Sequence, residues 1–225
     1  MNKRWACIPL TLSMLTAVST VSLQGCTGLE IPLIAAGFAT GTLAAADRRT
    51  LGTQVEDRGI QLKAETRLSE KFGGDSHINA TVYNRRLLLT GEVPDEATRR
   101  AVEREAATIE NVRVIVNELQ VGLKSSLSSR SNDAIVSSKV KAAMVDNQNI
   151  YTGAFKYVTE RGNVYLLGLA TEKEAEFAAD VIAGVSGVEK VVKSVDYISE
   201  DERARIVKSQ SPSEDRQQGS PVRTN

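Results

Sequence analysis

Few side chains in this sequence are equipped for covalent or acid–base chemistry: it has two cysteines and one histidine. Cys7 lies in the uncharged run 5–23, which follows Lys3 and Arg4, and that order is the positive n-region and hydrophobic h-region of a secretion signal. The run closes on Leu23-Gln24-Gly25-Cys26, the form of a lipobox, where a peptidase cuts before an acylated cysteine. The expected chemistry is therefore covalent lipidation of Cys26 by an N-acyl diacylglycerol group. Cys7 leaves with the signal, so the mature chain has no free thiol, disulfide or cysteine-zinc site. Thr27, where an inner-membrane retention signal of this class of protein places Asp, directs the product to the outer membrane.

His77 stands beside Gly73-Gly74 at a strand entrance, and a Ser-His-Asp triad would rest on it alone. The reading is a plain surface histidine. Gly73-Gly74 lacks the Lys-Ser/Thr or third glycine of a nucleotide-binding loop. Glu103, Glu105 and Glu110 are read as the outer side of an amphipathic helix, paired with Arg99, Arg100 and Arg104. No catalytic residue, metal site or further cofactor is expected, and the protein is not read as an enzyme. Lys and Arg balance Asp and Glu at 28 each, so no global field selects nucleic acid. An anionic partner has to meet a local patch.

The elements that position any such patch come from an internal repeat. Residues 82–91 (VYNRRLLLTG) parallel residues 158–168 (VTERGNVYLLG), with one extra residue assigned to the second turn. Each copy continues into a helix start, at Pro94-Asp95-Glu96-Ala97 and at Thr171-Glu172-Lys173-Glu174-Ala175, and then a valine-rich run, 111–121 and 187–198. The copies lie about 76 to 78 residues apart. Ile60, Ala64, Arg67 and Leu68 recur at helical spacing, as do Val136, Val140, Ala143 and Met144, the second helix being capped by Asn132 or Asp133. Alternation in 78–82 followed by Leu87, Leu88 and Leu89 predicts a hairpin. Thr171 with Glu174 has capping-box spacing. The helix it opens joins two strands that must run parallel.

The pattern is α+β: two tandem αββαβ domains, each a mixed three-stranded sheet with helices on one side. The divisions are a signal peptide 1–25, a lipidated cysteine and apolar linker 26–55, a first domain 56–124, a Ser-rich linker 125–130, a second domain 131–199 and a disordered polar tail 200–225. The stretch 31–46 is uncharged but shorter than the roughly 20 apolar residues of a span. It is read as a linker near the bilayer surface, with a membrane span as the alternative.

Two hairpins ending in L-x-G, each followed by a capped helix and a G-V or N-V step into a last strand, resemble the BON domain. The segments 47–57 (DRRTLGTQVED), 131–133 (SND), 162–169 (GNVYLLGL) and 181–192 (VIAGVSGVEKVV) carry the likeness. Two such domains behind a lipobox are similar to the dual-BON-domain outer-membrane lipoproteins. The resemblance implies a periplasm-facing, lipid-anchored protein that binds anionic phospholipid through its second domain, supports envelope integrity and gathers at division sites. It also implies possible partners among envelope and outer-membrane assembly proteins.

One helix carries an independent signal. At about 100° per residue, residues 134–146 place Val136, Val140, Ala143 and Met144 in a packing arc. Ile135, Ala142 and Val145 fall outside it, with Lys139 and Lys141 alongside. Apolar groups flanked by ammonium groups suit the interface of an anionic bilayer. The alternative is that Ile135 and Val145 pack on the other domain or on the loop 148–151. Carried across from the family, the lipid-contact residues are Ile135, Lys139, Val140, Lys141 and Val145. The matching helix of the first copy offers a single Leu62 among polar and charged residues. A competing reading is a protein-interaction adaptor that uses sheet edges or sheet faces.

Overall fold

The computed structural model describes residues 47–210. The signal peptide, Cys26, the stretch 27–46 and the last 15 residues, 211–225, lie outside the described residues. The first unit comprises α1 (Leu51–Phe72), β1 (His77–Tyr83), β2 (Arg86–Val93), α2 (Glu96–Ala106), β3 (Val114–Asn117) and β4 (Gln120–Val121). The second comprises α3 (Leu127–Asp146), a 3-10 turn Thr152–Ala154, β5 (Phe155–Glu160), β6 (Asn163–Ala170), α4 (Glu172–Ala183) and β7 (Lys190–Tyr197). A further helix, α5 (Glu200–Gln210), ends the described chain. The doubled α+β pattern is therefore present.

Each hairpin is antiparallel, and each crossover helix returns the chain to a parallel neighbour of the hairpin's second strand. On one face of each sheet the helices bury matching residues: Ile60, Ala64 and Leu68 of α1, and Val136, Val140 and Met144 of α3. Thr171 and Glu174 form the expected capping box.

The hairpin turns correct the alignment drawn from sequence, because both contain two residues. Tyr83 pairs with Arg86 and Glu160 with Asn163, so no extra residue sits in the second turn. Asn84, Arg85, Arg161 and Gly162 all have positive φ, as a two-residue turn that matches strand twist requires. Three of these are not glycine, and a helix carboxylate supports each turn. Asp57 accepts the Asn84 and Arg85 amides at 2.6 and 2.7 Å. Asp133 accepts the Arg161 and Gly162 amides, both at 2.9 Å. Asp133 is thus a buried turn anchor rather than a helix cap.

Four other expectations change. Ser126 accepts the Ser129 amide and caps α3, so helix begins at Leu127 and replaces most of the linker 125–130. Thr50 does the same for α1, which starts at Leu51 inside the expected linker. Residues 200–210 are helical and not disordered: Ser199 Oγ accepts the Glu202 amide and Arg203 Nε donates to Glu200 at 2.8 Å. The first sheet has four strands, because its last run breaks after Asn117, whose side chain accepts the Leu119 amide, and resumes at Gln120.

The second sheet faces meet each other. Tyr83 and Leu88 pack with Tyr165 and Leu167, and Val116, Leu169 and Val192 border them. Tyr83 donates its hydroxyl to the Ala154 carbonyl at 3.1 Å. The result is helices, sheet, sheet, helices. Those faces are therefore unavailable to the partner envisaged in the adaptor reading.

Candidate membrane-docking face

Nothing in the described chain covers the apolar residues on the outer side of α3. Ile135 is 56% exposed and Val145 61%, so neither packs on the other domain or on the loop 148–151. The early start at Leu127 lengthens the strip, since Leu127 is 77% exposed and lies at the same helical phase as Val145. Ala134 and Ala142 are exposed between them. Ser131 and Ser138, in the same strip, donate to the Leu127 and Ala134 carbonyls, both at 2.9 Å. Hydroxyls turned back onto their own helix make little demand for water. The outcome is a helix with apolar residues on both sides, one side packed and the other open.

Lys139 and Lys141 are exposed on opposite flanks of the strip, and Lys139 Nζ reaches the Ser186 carbonyl at 3.3 Å. Val140 is fully buried in the second core, so it holds the helix on its sheet and does not meet solvent. The structure thus brings Ile135, Lys139, Lys141 and Val145 to one surface and places Val140 behind it. Leu127 belongs with them. Its signal in the sequence was the Ser126 cap, which moves the helix start upstream.

The first unit departs from its expected solvated face. Because α1 begins at Leu51, it exposes Leu51 and Val55 as well as Leu62. With the buried Asp57 and Asp133 set aside, α1 carries four bases and three acids, and α3 three bases and one acid.

A second set of charged groups, on Glu92, Glu160, Asp196 and their partners, holds the two units together. Glu92, 1% exposed, accepts Arg161 Nε at 2.6 Å and the Ser125 amide at 3.0 Å. His77, the register partner of Glu92 on β1, is only partly exposed and places Nδ1 3.3 Å from that carboxylate, so it borders the clasp from within the first unit and is not a plain surface residue. Asp196 receives Arg86 at 2.6 Å, Asn84 at 2.8 Å and Arg113. Glu160 receives the Asn79 amide. The glutamates expected on the outer side of α2 also find other partners: Glu105 pairs with Lys71 of α1 and Glu103 accepts from Asn117, while Glu110 lies beyond the end of α2 at Ala106 and pairs with Lys63 of α1.

These contacts give the interface a pH dependence. Burial pushes the Glu92 carboxyl up, but the Ser125 amide and Arg161 outweigh it and hold the group below its ordinary 4.5. For Asp196, burial is outweighed by Arg86, Arg113 and Asn84, which hold it below 3.8. Arg48 and the Thr171 amide likewise overcome burial at Glu174. Carboxyls lowered in the folded state stabilise fully above their unfolded values, and the contribution disappears as pH falls through the folded values. Glu160 acts oppositely: burial raises it, so its ionised form costs stability at neutral pH and protonation relieves that cost. The urea midpoint is expected to stay nearly level from pH 7 to 5 and to fall steeply below about pH 4. A midpoint at pH 3 equal to that at pH 7 would contradict the clasp.

A shallow groove of about 400 Å³ between the units is lined by polar residues including Arg99, Asn117, Gln120 and Lys190. Among the described residues no cluster of three or more His, Cys, Asp or Glu side chains is placed to hold a metal. No described helix is long and apolar enough to cross a membrane.

The family model and the sequence relatives agree with this architecture. The BON domain model matches residues 57–122 and 132–199. The chain is 32% identical over 192 residues to outer membrane lipoprotein DolP of Haemophilus influenzae, covering 84% of this chain and 97% of that protein. It is 31% identical over 154 residues to a 21 kDa hemolysin of Actinobacillus pleuropneumoniae, covering 68% and 79%. A solved structure of CdsD, a structural protein of the type III secretion system of Chlamydia trachomatis, matches at 10% identity and a TM-score of 0.27, covering 67% of this chain and 98% of that one. With two matched domains and a full-length relative above 30% identity, the chain belongs to the BON family, in the dual-BON group of the outer membrane lipoprotein DolP.

Proposed function

We propose that this protein is an outer-membrane lipoprotein, anchored through Cys26 and facing the periplasm, whose second domain docks on anionic phospholipid and thereby supports envelope integrity. The observation that carries the reading is the open strip of α3, with Leu127, Ile135 and Val145 exposed between two lysines. Each methylene buried in the acyl boundary contributes about 0.8 kcal/mol, and each lysine near an anionic surface about 1 kcal/mol. Such weak docking becomes effective when an anchor already confines the domain to the membrane. Action at division sites is a finer part of the same proposal and rests on the family resemblance.

Sedimentation with neutral and anionic vesicles separates this reading from the adaptor reading. Binding that grows with anionic lipid supports docking, and absence of binding to both favours a protein partner. For the anchor, Cys26→Ala is expected to leave the chain uncleaved or soluble. If the variant fractionates with the outer membrane as the parent does, Cys26 is not the attachment point.

A further inference from the structure

The segment that joins the two domains carries the most open apolar side chain of the described residues. Leu123 is 89% exposed, more than any other large hydrophobic residue among them, and Val121 just before it is half exposed. Single exposed apolar residues are common on protein surfaces and need no explanation by themselves. This one stands on a segment in which every residue from 122 to 126 is bonded.

The Gly122 amide donates to the Val93 carbonyl at 2.9 Å. The Leu123 carbonyl accepts Arg161 Nη2 at 2.8 Å. Lys124 Nζ donates to the Gly73 and Gly74 carbonyls, just past the end of α1, at 3.2 and 2.5 Å. Ser125 gives its amide to Glu92 and accepts Arg130 on its carbonyl, both at 3.0 Å, and Ser126 caps α3. Both domains therefore pin the segment. A side chain carried on backbone that is already ordered loses little freedom when it enters a partner.

Position and charge indicate the partner. Leu123 lies four residues before Leu127, the first residue of the open strip on α3, so their Cα atoms are at most about 14 Å apart. No acidic residue occurs from Val121 to Asn132, whereas Lys124 and Arg130 fall within that stretch. Lys124, like Lys139 on the strip, is held by carbonyl oxygens, which fix an ammonium group without neutralising it. On α1 the arrangement is the opposite, because Lys63 and Lys71 pair with the carboxylates of Glu110 and Glu105. An open leucine beside unneutralised lysines, continuous with the α3 strip, suits an anionic bilayer: the apolar group enters the acyl boundary and the ammonium groups meet phosphate.

We propose that the interdomain segment 121–127 is a second insertion point of the same bilayer contact, with Leu123 as its leading side chain and the first domain as part of its support. Glu92 then has a task beyond stability, since it holds both the Ser125 amide and Arg161, whose guanidinium carries the Leu123 carbonyl. The inference rests on docking through α3, and its test keeps the two apart.

The soluble chain beginning at residue 26, with Cys26→Ser, lacks Trp5, the one tryptophan of the sequence, so an introduced tryptophan reports alone. Leu123→Trp, Ile135→Trp and Leu62→Trp are each mixed with vesicles of phosphatidylcholine and phosphatidylglycerol whose brominated acyl chains quench indole fluorescence on contact. None of these positions is buried, so each variant should keep the parent's Tm within a few degrees. Leu123→Trp is expected to be quenched as strongly as Ile135→Trp, with Leu62→Trp unquenched. On the parent chain, Leu123→Asp should weaken binding to unbrominated vesicles of the same lipids at least about tenfold, because withdrawing even two methylenes from the acyl boundary has that effect. Quenching of Ile135→Trp without quenching of Leu123→Trp, or unchanged binding by Leu123→Asp, would overturn the second insertion point and leave α3 docking standing. Equal quenching at all three positions would also overturn it, since the contact would then have no preferred face. Absence of quenching in both Leu123→Trp and Ile135→Trp would remove the docking role on which the inference depends.

Discussion

Asp57→Ala is expected to lower stability by about 3–5 kcal/mol, the largest loss from any single truncation considered for this fold. Its carboxylate, 3% exposed, accepts the Asn84 and Arg85 amides and Arg49, all within 2.7 Å. Hydrogen bonds to a charged group contribute about 1.5–3 kcal/mol each, and they do not add fully. Alanine would also leave two non-glycine residues at positive φ without the acceptor that holds them there. For a chain of this size the loss corresponds to a fall in Tm of roughly 10 °C. Asp133→Ala should cost less, because Asp133 serves two amides without a bonded arginine. A calorimetric shift under about 2 °C for Asp57→Ala, or the reverse ranking of the two variants, would contradict this account of the turns.

The pair also shows where sequence was legible and where it was not. The repeat was readable because the apolar positions of α1 and α3 and the capped crossover helices recur at near-constant spacing, and periodicity is what packing against a sheet demands. The extents of the elements were less readable. Helix starts were placed by apolar spacing, whereas Thr50 and Ser126 extend both helices upstream over residues whose outer faces meet no core. In the sequence Asp133 reads as a helix cap, and Asp57, Glu92 and Asp196 carry no distinguishing signal. Their roles come from contacts with turns or the other domain, and no local pattern encodes those. The sheet–sheet interface was hidden for a similar reason: Tyr83, Leu88, Tyr165 and Leu167 sit in runs apolar on both faces, and such runs do not state what covers the second face.

At the candidate site the legible part was the phase. Ile135, Lys139, Lys141 and Val145 reach the surface that their helical positions require, while Val140 is buried as its place in the packing arc implies. Leu127 was missed with the helix start. On α1 the same omission concealed Leu51 and Val55, so with three large apolar residues exposed on each helix the contrast between them lies in charge. Leu62→Glu on α1 remains the matched control for a docking face on α3.

The most direct test of the central claim is vesicle binding by the soluble mature chain carrying Ile135→Glu and Val145→Glu together. Both side chains are more than half exposed and outside the buried cluster, so the variant should keep the parent's Tm within a few degrees. Each substitution replaces an apolar group that would enter the acyl boundary with a charge that an anionic surface repels. Lys139→Gln with Lys141→Gln, which leaves the apolar strip in place, should weaken binding by about 2 kcal/mol at most and reduce its salt dependence. In flotation with anionic vesicles, the account predicts that the double glutamate variant stays with the soluble fraction while the parent and Leu62→Glu float. A folded double glutamate variant that floats as the parent does would contradict docking through α3.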